Sequence, residues 1–109
     1  MAKRTRTYSA QTSDAMSFLA QQLTAERRLR GWKQSDLAER AGLSVSTLIA
    51  IEQGAPTVAI GSVFEVARLL GVPVVGGSMD PLARQLVNDR LALLPLRVTA
   101  ARTEPDDDF

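Results

Sequence analysis

The chain has 109 residues, enough for one small domain with a modest hydrophobic core and short tails. It contains no cysteine and no histidine, which excludes disulfide bonds, thiolate nucleophiles and the commonest general base, and so argues against an enzyme. The net charge of +1 is unevenly spread, because residues 1–33 hold seven basic and two acidic side chains whereas the chain ends in an acidic stretch. This asymmetry favours two partners of opposite charge, although solvated charges also serve solubility alone.

No apolar stretch approaches the length of a membrane span, and the N-terminus lacks the apolar core of a secretion signal. We therefore expect a cytoplasmic protein without membrane contact, in agreement with the lack of cysteine. Three adjacent aspartates near the end of the chain do not predict a metal site, because no other ligand residues accompany them. No cofactor is expected.

The chain begins with a polar, basic segment and continues into a first helix. Residues 1–13 have no hydrophobic period, which is typical of a flexible basic arm. Ser13 or Asp14 is a plausible N-cap for a helix that continues to about Arg30, where Gly31 breaks it. The candidates for its inward face are Leu19, Leu23, Phe18 and Leu29.

Two short helices separated by three residues come next. The first is predicted over residues 34–41 and is broken by Gly42, whose position in the turn favours a positive φ. Ser44 caps the second, predicted over residues 45–53. Two short helices joined by a glycine-containing turn have the form of a helix-turn-helix. The residues expected to fix the angle between them are Leu37, Ala38, Ala41, Leu43, Leu48 and Ile51.

A fourth helix is predicted over residues 60–70, closed by Gly71. Residues 72–75 favour a short C-terminal strand, which Pro73 restricts to an edge or an extended segment. The buried stripe expected on the fourth helix consists of Val63, Phe64, Ala67 and Leu70.

A separate segment over residues 77–95 is expected to form a C-terminal helix for dimerisation or partner contact. Asp80 followed by Pro81 has the form of an N-cap and a first helical residue, so a fifth helix is predicted to run to about residue 94. Residues 96–109 lack a period and are predicted to be a disordered acidic tail. The fifth helix carries an apolar stripe of Leu82, Leu86, Val87, Leu91 and Leu94.

The sequence over residues 34–54, QSDLAERAGLSVSTLIAIEQG, resembles the Cro/cI-type, or Xre, family of DNA-binding domains. The segment RGWKQ at residues 30–34 and the Leu-Gly-Val at residues 70–72 extend the similarity on both sides. The resemblance implies an all-α, lambda-repressor-like bundle of about five helices, with the DNA-binding domain over residues 14–76. It also implies that the protein binds a double-stranded DNA operator.

The resemblance and the charge pattern together indicate which residues contact DNA. Gln34 corresponds to a position where the family braces the phosphate backbone, and the second helix of the motif becomes the recognition helix. That helix has no Arg, Lys, Asn or Gln before Gln53, so direct base readout is expected to be modest. Arg27 and the arm residues 3–6 are additional phosphate candidates. The predicted DNA contacts are Gln34, Ser44, Val45, Ser46, Thr47, Ala50, Arg28, Lys33 and Arg40.

Two further segments are similar to HipB-like antitoxins, the Xre-type partners of HipA-like kinase toxins. They are the loop GAPTVAIG at residues 54–61 and the terminal Asp-Asp-Asp-Phe. The similarity implies a homodimeric repressor of its own operon that also binds a HipA-like toxin. The aspartates are then expected to meet a basic cleft and the phenylalanine an apolar pocket. The predicted partner-binding residues are Asp106, Asp107, Asp108 and Phe109.

Other interpretations remain open at the level of sequence. The chain fits a stand-alone Xre regulator whose C-terminal part only dimerises. It also fits a partner-neutralising interaction module that barely touches DNA, because its recognition helix has no Arg, Lys, Asn or Gln side chain before Gln53. The stripe on the fifth helix has two possible fates: it pairs with a second copy, or it folds back onto its own bundle.

Overall fold

The computed structural model describes residues 7–74 and 80–98, and these ranges contain five α-helices and no β-strand. The predicted all-α class is confirmed. Of the residues predicted as a short strand, 72–74 are not in a strand and Val75 lies outside the described residues. The basic residues 3–6 of the arm and the tail residues 99–109 also lie outside them. The helices are α1 (Ala10–Leu29), α2 (Gln34–Ala41), α3 (Val45–Glu52), α4 (Ile60–Leu70) and α5 (Pro81–Ala92).

The ends of the helices are fixed by local capping residues. The bounds of α2 and α4 are as predicted, and Gly42 closes α2 with the expected left-handed conformation at φ 71°. The predicted start of α1 was wrong, because Ser9 is its N-cap and accepts a 3.2 Å hydrogen bond from the amide of Thr12. Residues 10–13 are therefore helical rather than part of an arm.

The chain divides into two units, residues 1–74 and residues 75–109. In the first, α2 packs against α3 and α4, and α1 packs against the same two helices. Burying a leucine or isoleucine side chain contributes about 1.5–3 kcal/mol, so this shared core is the main stabilising element of the unit. The core residues are Leu23, Leu37, Ala38, Leu48, Ile51, Val66, Ala67, Leu70 and Val72.

Two of the predicted inward faces needed correction. Phe18 and Leu29 are 62% and 78% exposed, and the buried side of α1 contains Ala20 and Arg27 beside the predicted Leu23. On α4, Phe64 is 41% exposed, and the residue that fills the core there is Val66. The other predicted inward residues are confirmed. Leu23, Ala67 and Leu70 are buried, and Leu19 and Val63 pack against the core.

The second unit contains α5 with its predicted cap. The Asp80 carboxylate accepts a 3.0 Å hydrogen bond from the amide of Leu82, and Pro81 is the first helical residue. None of the residues of α5 is buried, and the leucines of its stripe are more than half exposed. Within the described ranges, no helix is long and apolar enough to cross a membrane.

The turn between α2 and α3 leads to a first prediction. Gly42 has a φ of 71° and open space where a Cβ would lie, so Gly42→Ala adds backbone strain without a clash. We expect this variant to lower the free energy of unfolding by about 1–2 kcal/mol. The measurement is urea unfolding followed by circular dichroism.

Gly61→Ala is the matched control, because Gly61 also has open space at its Cβ but lies within α4 and has no positive φ. This variant is expected to raise the free energy of unfolding by about 0.4–1 kcal/mol. Equal effects of the same sign in the two variants would contradict the role assigned to the Gly42 turn.

Candidate nucleic-acid interface

The α2–turn–α3 segment has the geometry predicted for a helix-turn-helix. The left-handed Gly42 lets the amide of Leu43 donate a 2.9 Å hydrogen bond to the carbonyl of Ala38, which closes α2. Ser44 then caps α3: its Oγ accepts from the amide of Thr47 at 3.1 Å and donates to Thr47 Oγ1 at 2.9 Å. The hydroxyl groups of Ser44 and Thr47 therefore build the start of the helix.

Helix α3 buries one face and presents the other to solvent. Leu48 and Ile51 are buried in the core. The outward face is a strip at helical spacing that is mostly apolar. It includes Gln53, an exposed amide directly after the helix, which was not among the predicted contacts. The residues of this outward face are Val45, Ser46, Ile49, Ala50 and Gln53.

A buried ion pair joins α1 to the last residue of α3. Arg27 donates to both oxygens of Glu52, from Nε to Oε2 at 2.6 Å and from Nη2 to Oε1 at 3.0 Å. The side chains of Arg27 and Glu52 are 9% and 6% exposed. The remaining guanidinium nitrogen, Nη1, donates to the carbonyl of Trp32 at 2.8 Å. The expectation that Arg27 contacts phosphate was therefore wrong, because its guanidinium is used in this buried pair.

Gln34, the first residue of α2, belongs to the same network. Its Nε2 donates to Glu52 Oε1 at 3.0 Å, and the side chain is half-buried. An amide nitrogen carries two hydrogens, so this bond leaves one donor of Gln34 uncommitted. The predicted contact between Gln34 and a phosphate remains a prediction, now with a defined orientation for the amide.

The ionisation of Glu52 is set by opposing effects. Burial raises the pKa of its carboxyl group, but the hydrogen bonds from Arg27 and Gln34, together with the charges of Arg27 and Arg28, more than offset this. The net result is a pKa below the ordinary value of 4.5, so the pair is ionised at neutral pH.

Three of the predicted phosphate contacts, Arg28, Lys33 and Arg40, are exposed. Lys33 precedes α2, and its backbone amide donates to the carboxylate of Asp36 at 2.8 Å. The Arg40 guanidinium lies 4.3 Å from the centre of the Trp32 ring, a cation–π contact that restrains the side chain. Trp32 itself packs against the core.

The buried pair leads to a prediction about pH. Because the pKa of Glu52 is lower in the folded protein than its ordinary 4.5, the pair contributes its full stability above pH 4.5 and loses it as the pH falls through the folded pKa. We expect Glu52→Gln to cost roughly 3 kcal/mol at pH 7, since it leaves a buried guanidinium without a counter-charge. The deficit relative to the wild type should shrink in urea titrations below pH 4.5.

Glu65→Gln is the control, because Glu65 pairs with Arg68 on the exposed surface of α4. Such a pair is screened by solvent, so this variant should follow the wild type closely at every pH. A constant difference between Glu52→Gln and the wild type from pH 7 to pH 3 would disprove the ionisation argument.

No cluster of acidic side chains suited to a metal ion occurs within residues 7–74 and 80–98. No curated protein matches this chain. A solved structure titled "MDT Protein" superposes on 66% of this chain and 93% of its own, with a TM-score of 0.50 and 22% sequence identity, a likeness that concerns the fold alone. The family model described as Helix-turn-helix matches residues 23–76, from the middle of α1 to beyond the end of α4. Over these residues the match supports a helix-turn-helix domain of the Xre/Cro type, and such a domain supports DNA binding by a transcription regulator.

Proposed function

We propose that this protein is an operator-binding transcriptional repressor that acts as a homodimer on double-stranded DNA in the cytoplasm. The observation that carries the proposal is the outward face of α3, which has no partner in the core although α3 is anchored at both ends. Ser44 caps its start, and the ion pair of Glu52 with Arg27 holds its end. A rigid, exposed helix of this kind fits the major groove of DNA.

The basic residues supply the affinity in this proposal. Arg28, Lys33 and Arg40 are exposed, and each lies on or beside α2 or the end of α1, next to the network that fixes α3. Contacts with phosphates position a protein on DNA without reading sequence. The proposed groove contacts come from the start and outward side of α3, namely Ser44, Val45, Ser46, Thr47 and Ala50, with Gln34 bracing the backbone.

Helix α5 supports the homodimer. Its leucines at positions 82, 86 and 91 are 57–65% exposed, which is unfavourable for a helix of 12 residues unless a partner covers them. Recognition of two half-sites one helical turn apart also requires two domains. A second copy satisfies both requirements.

We further propose that the protein is the antitoxin of a HipA-like toxin. The support is the similarity of residues 54–61 and of the terminal Asp106, Asp107, Asp108 and Phe109 to such antitoxins; the four terminal residues lie outside the described ranges. A stand-alone regulator is the alternative. The lack of amide or guanidinium groups on α3 before Gln53 favours, as a second candidate, a partner-neutralising module with weak DNA binding.

The first test concerns the phosphate contacts. Arg28→Ala and Lys33→Ala should each weaken binding to all DNA sequences alike, because each removes one contact to the backbone. Each should also reduce the slope of log K against log salt concentration by about one unit. Fluorescence anisotropy with labelled duplexes at several salt concentrations measures both quantities.

Arg68→Ala is the control, since Arg68 is exposed on α4 and pairs with Glu65. It should leave the slope unchanged. A wild-type slope in both the Arg28 and Lys33 variants would remove these residues from the interface, and salt-independent binding by the wild type would contradict the proposed function itself.

The second test concerns the assembly. Native mass spectrometry of the protein expressed from its own operon should show a dimer carrying a kinase-sized partner, and a chain ending at Thr103 should lose the partner but keep the dimer. The double variant Leu86→Glu, Leu91→Glu should be a monomer, because charges replace the apolar stripe of α5.

Leu29→Glu serves as the control for this variant, because Leu29 is 78% exposed on α1 and should leave the dimer intact. A wild-type mass of one chain would contradict the homodimer. A bare dimer from the operon would contradict the antitoxin and leave a stand-alone repressor.

A further inference from the structure

The outward face of α3 has an unusual chemical composition for a surface proposed to read DNA. Val45 is 41% exposed, and Ile49 and Ala50 are partly exposed beside it. Val45, Ile49 and Gln53 follow one another at four-residue spacing, so Ile49 lies at the middle of the face. Within the helix itself, the exposed side chains of this face are three hydrocarbons and the hydroxyl of Ser46.

The other two hydroxyl groups near the start of α3 are already engaged. Ser44 Oγ accepts from the Thr47 amide and donates to Thr47 Oγ1, so rotating Ser44 toward a base breaks the cap, whereas rotating Thr47 breaks only the bond between the two hydroxyl groups. Losing such a cap destabilises the helix. The hydroxyl donors that the helix can offer to bases are therefore those of Ser46 and Thr47, with Gln53 following the last turn.

Hydrocarbon side chains can contribute to base recognition only where the base edge is itself apolar. In the major groove that group is the 5-methyl of a pyrimidine, present in thymine and in 5-methylcytosine, whereas the other edges present hydrogen-bond donors and acceptors. Placing Ile49 against those polar edges desolvates them without compensation and is unfavourable.

We propose that α3 recognises pyrimidine 5-methyl groups in the major groove, with Ile49 as the central contact and Val45 and Ala50 beside it. The inference rests on the proposed function, since it names the chemical feature of the operator that the same helix selects. Operator positions facing Ile49 then carry thymine, or methylated cytosine, while the phosphate contacts contribute affinity without preference.

The test uses the full chain and duplexes enriched from a random-sequence pool. In the best duplex, each thymidine is replaced in turn by deoxyuridine, which keeps the base pair and removes only the methyl group. Each contacted position should lose about fourfold in affinity, the value expected for one buried methyl group. The salt slope should stay the same, because the phosphate contacts are untouched.

A double-mutant cycle separates direct contact from an effect of the methyl group on DNA shape. Ile49→Ala should weaken binding to the thymidine duplex but respond several-fold less than the wild type to deoxyuridine at the central position. Phe18→Ala is the matched control, because Phe18 is exposed on α1, and it should retain the full response. The deoxyuridine series needs only the wild type, so it remains valid if Ile49→Ala is unstable.

A further set of duplexes tests whether the methyl group that α3 prefers belongs to thymine or to 5-methylcytosine. A cytosine–guanine pair at the central position, with and without the 5-methyl group, should bind better when methylated, and comparison with thymine shows which base is preferred. An unchanged affinity across all deoxyuridine positions would overturn the inference while leaving DNA binding intact. Failure to enrich any duplex, together with salt-independent binding, would overturn the proposed function and the inference together.

Discussion

The buried pair of Arg27 and Glu52 is the interaction on which the arrangement of the domain depends. It is the meeting point of three helices, because Arg27 comes from α1, Glu52 ends α3, and Gln34 at the start of α2 donates to the same carboxylate. Two buried charges are tolerated here because their polar atoms are used: the guanidinium bonds both carboxylate oxygens and the Trp32 carbonyl. Without these bonds, the desolvation cost of the two charges would not be offset.

The pair matters more for geometry than for net stability. Replacing a buried ion pair by well-packed apolar residues is often neutral or stabilising, so a hydrophobic core alone would hold the helices together. Apolar contacts are not directional, however, and a helix of eight residues is too short to keep its own shape in water. Helix α3 is instead fixed at its start by Ser44, along one side by Leu48 and Ile51, and at its end by Glu52. Three constraints define its axis and its rotation, which leaves its outer face free.

The sequence predicts most of the fold because its strongest signals are local. Gly42 and Gly71 end their helices through a backbone conformation that depends on those residues alone, and both helices have the predicted bounds. The start of α1 could not be chosen so easily, since Ser9 and Ser13 are equally good caps by residue type. Which serine caps the helix depends on where the chain turns into it. The residue type of the cap alone does not determine that position.

The site was harder to predict because a charged residue on a helix is normally expected at the surface. Arg27 stands in a run of basic residues, and such a run predicts a phosphate contact. Its position nonetheless follows Leu23 by four residues, and Glu52 follows Leu48 by four, so both charges continue the buried face of their helices. Opposite charges in phase with two core stripes indicate a buried pair. Pairing them requires knowing that α1 and α3 touch, which is a property of the tertiary fold.

Under the proposed function, the small number of base-reading side chains on α3 also explains why the protein needs a second copy. Apolar contacts with a few methyl groups discriminate between bases by only small factors, and the basic residues around α2 bind any sequence. In a dimer on a symmetric operator, the discrimination of one half-site multiplies that of the other, so a modest preference becomes its square. A domain whose recognition helix offers mainly Val45, Ile49 and Ala50 depends on dimerisation for its specificity, which makes the exposed stripe of α5 as important for operator choice as α3 itself.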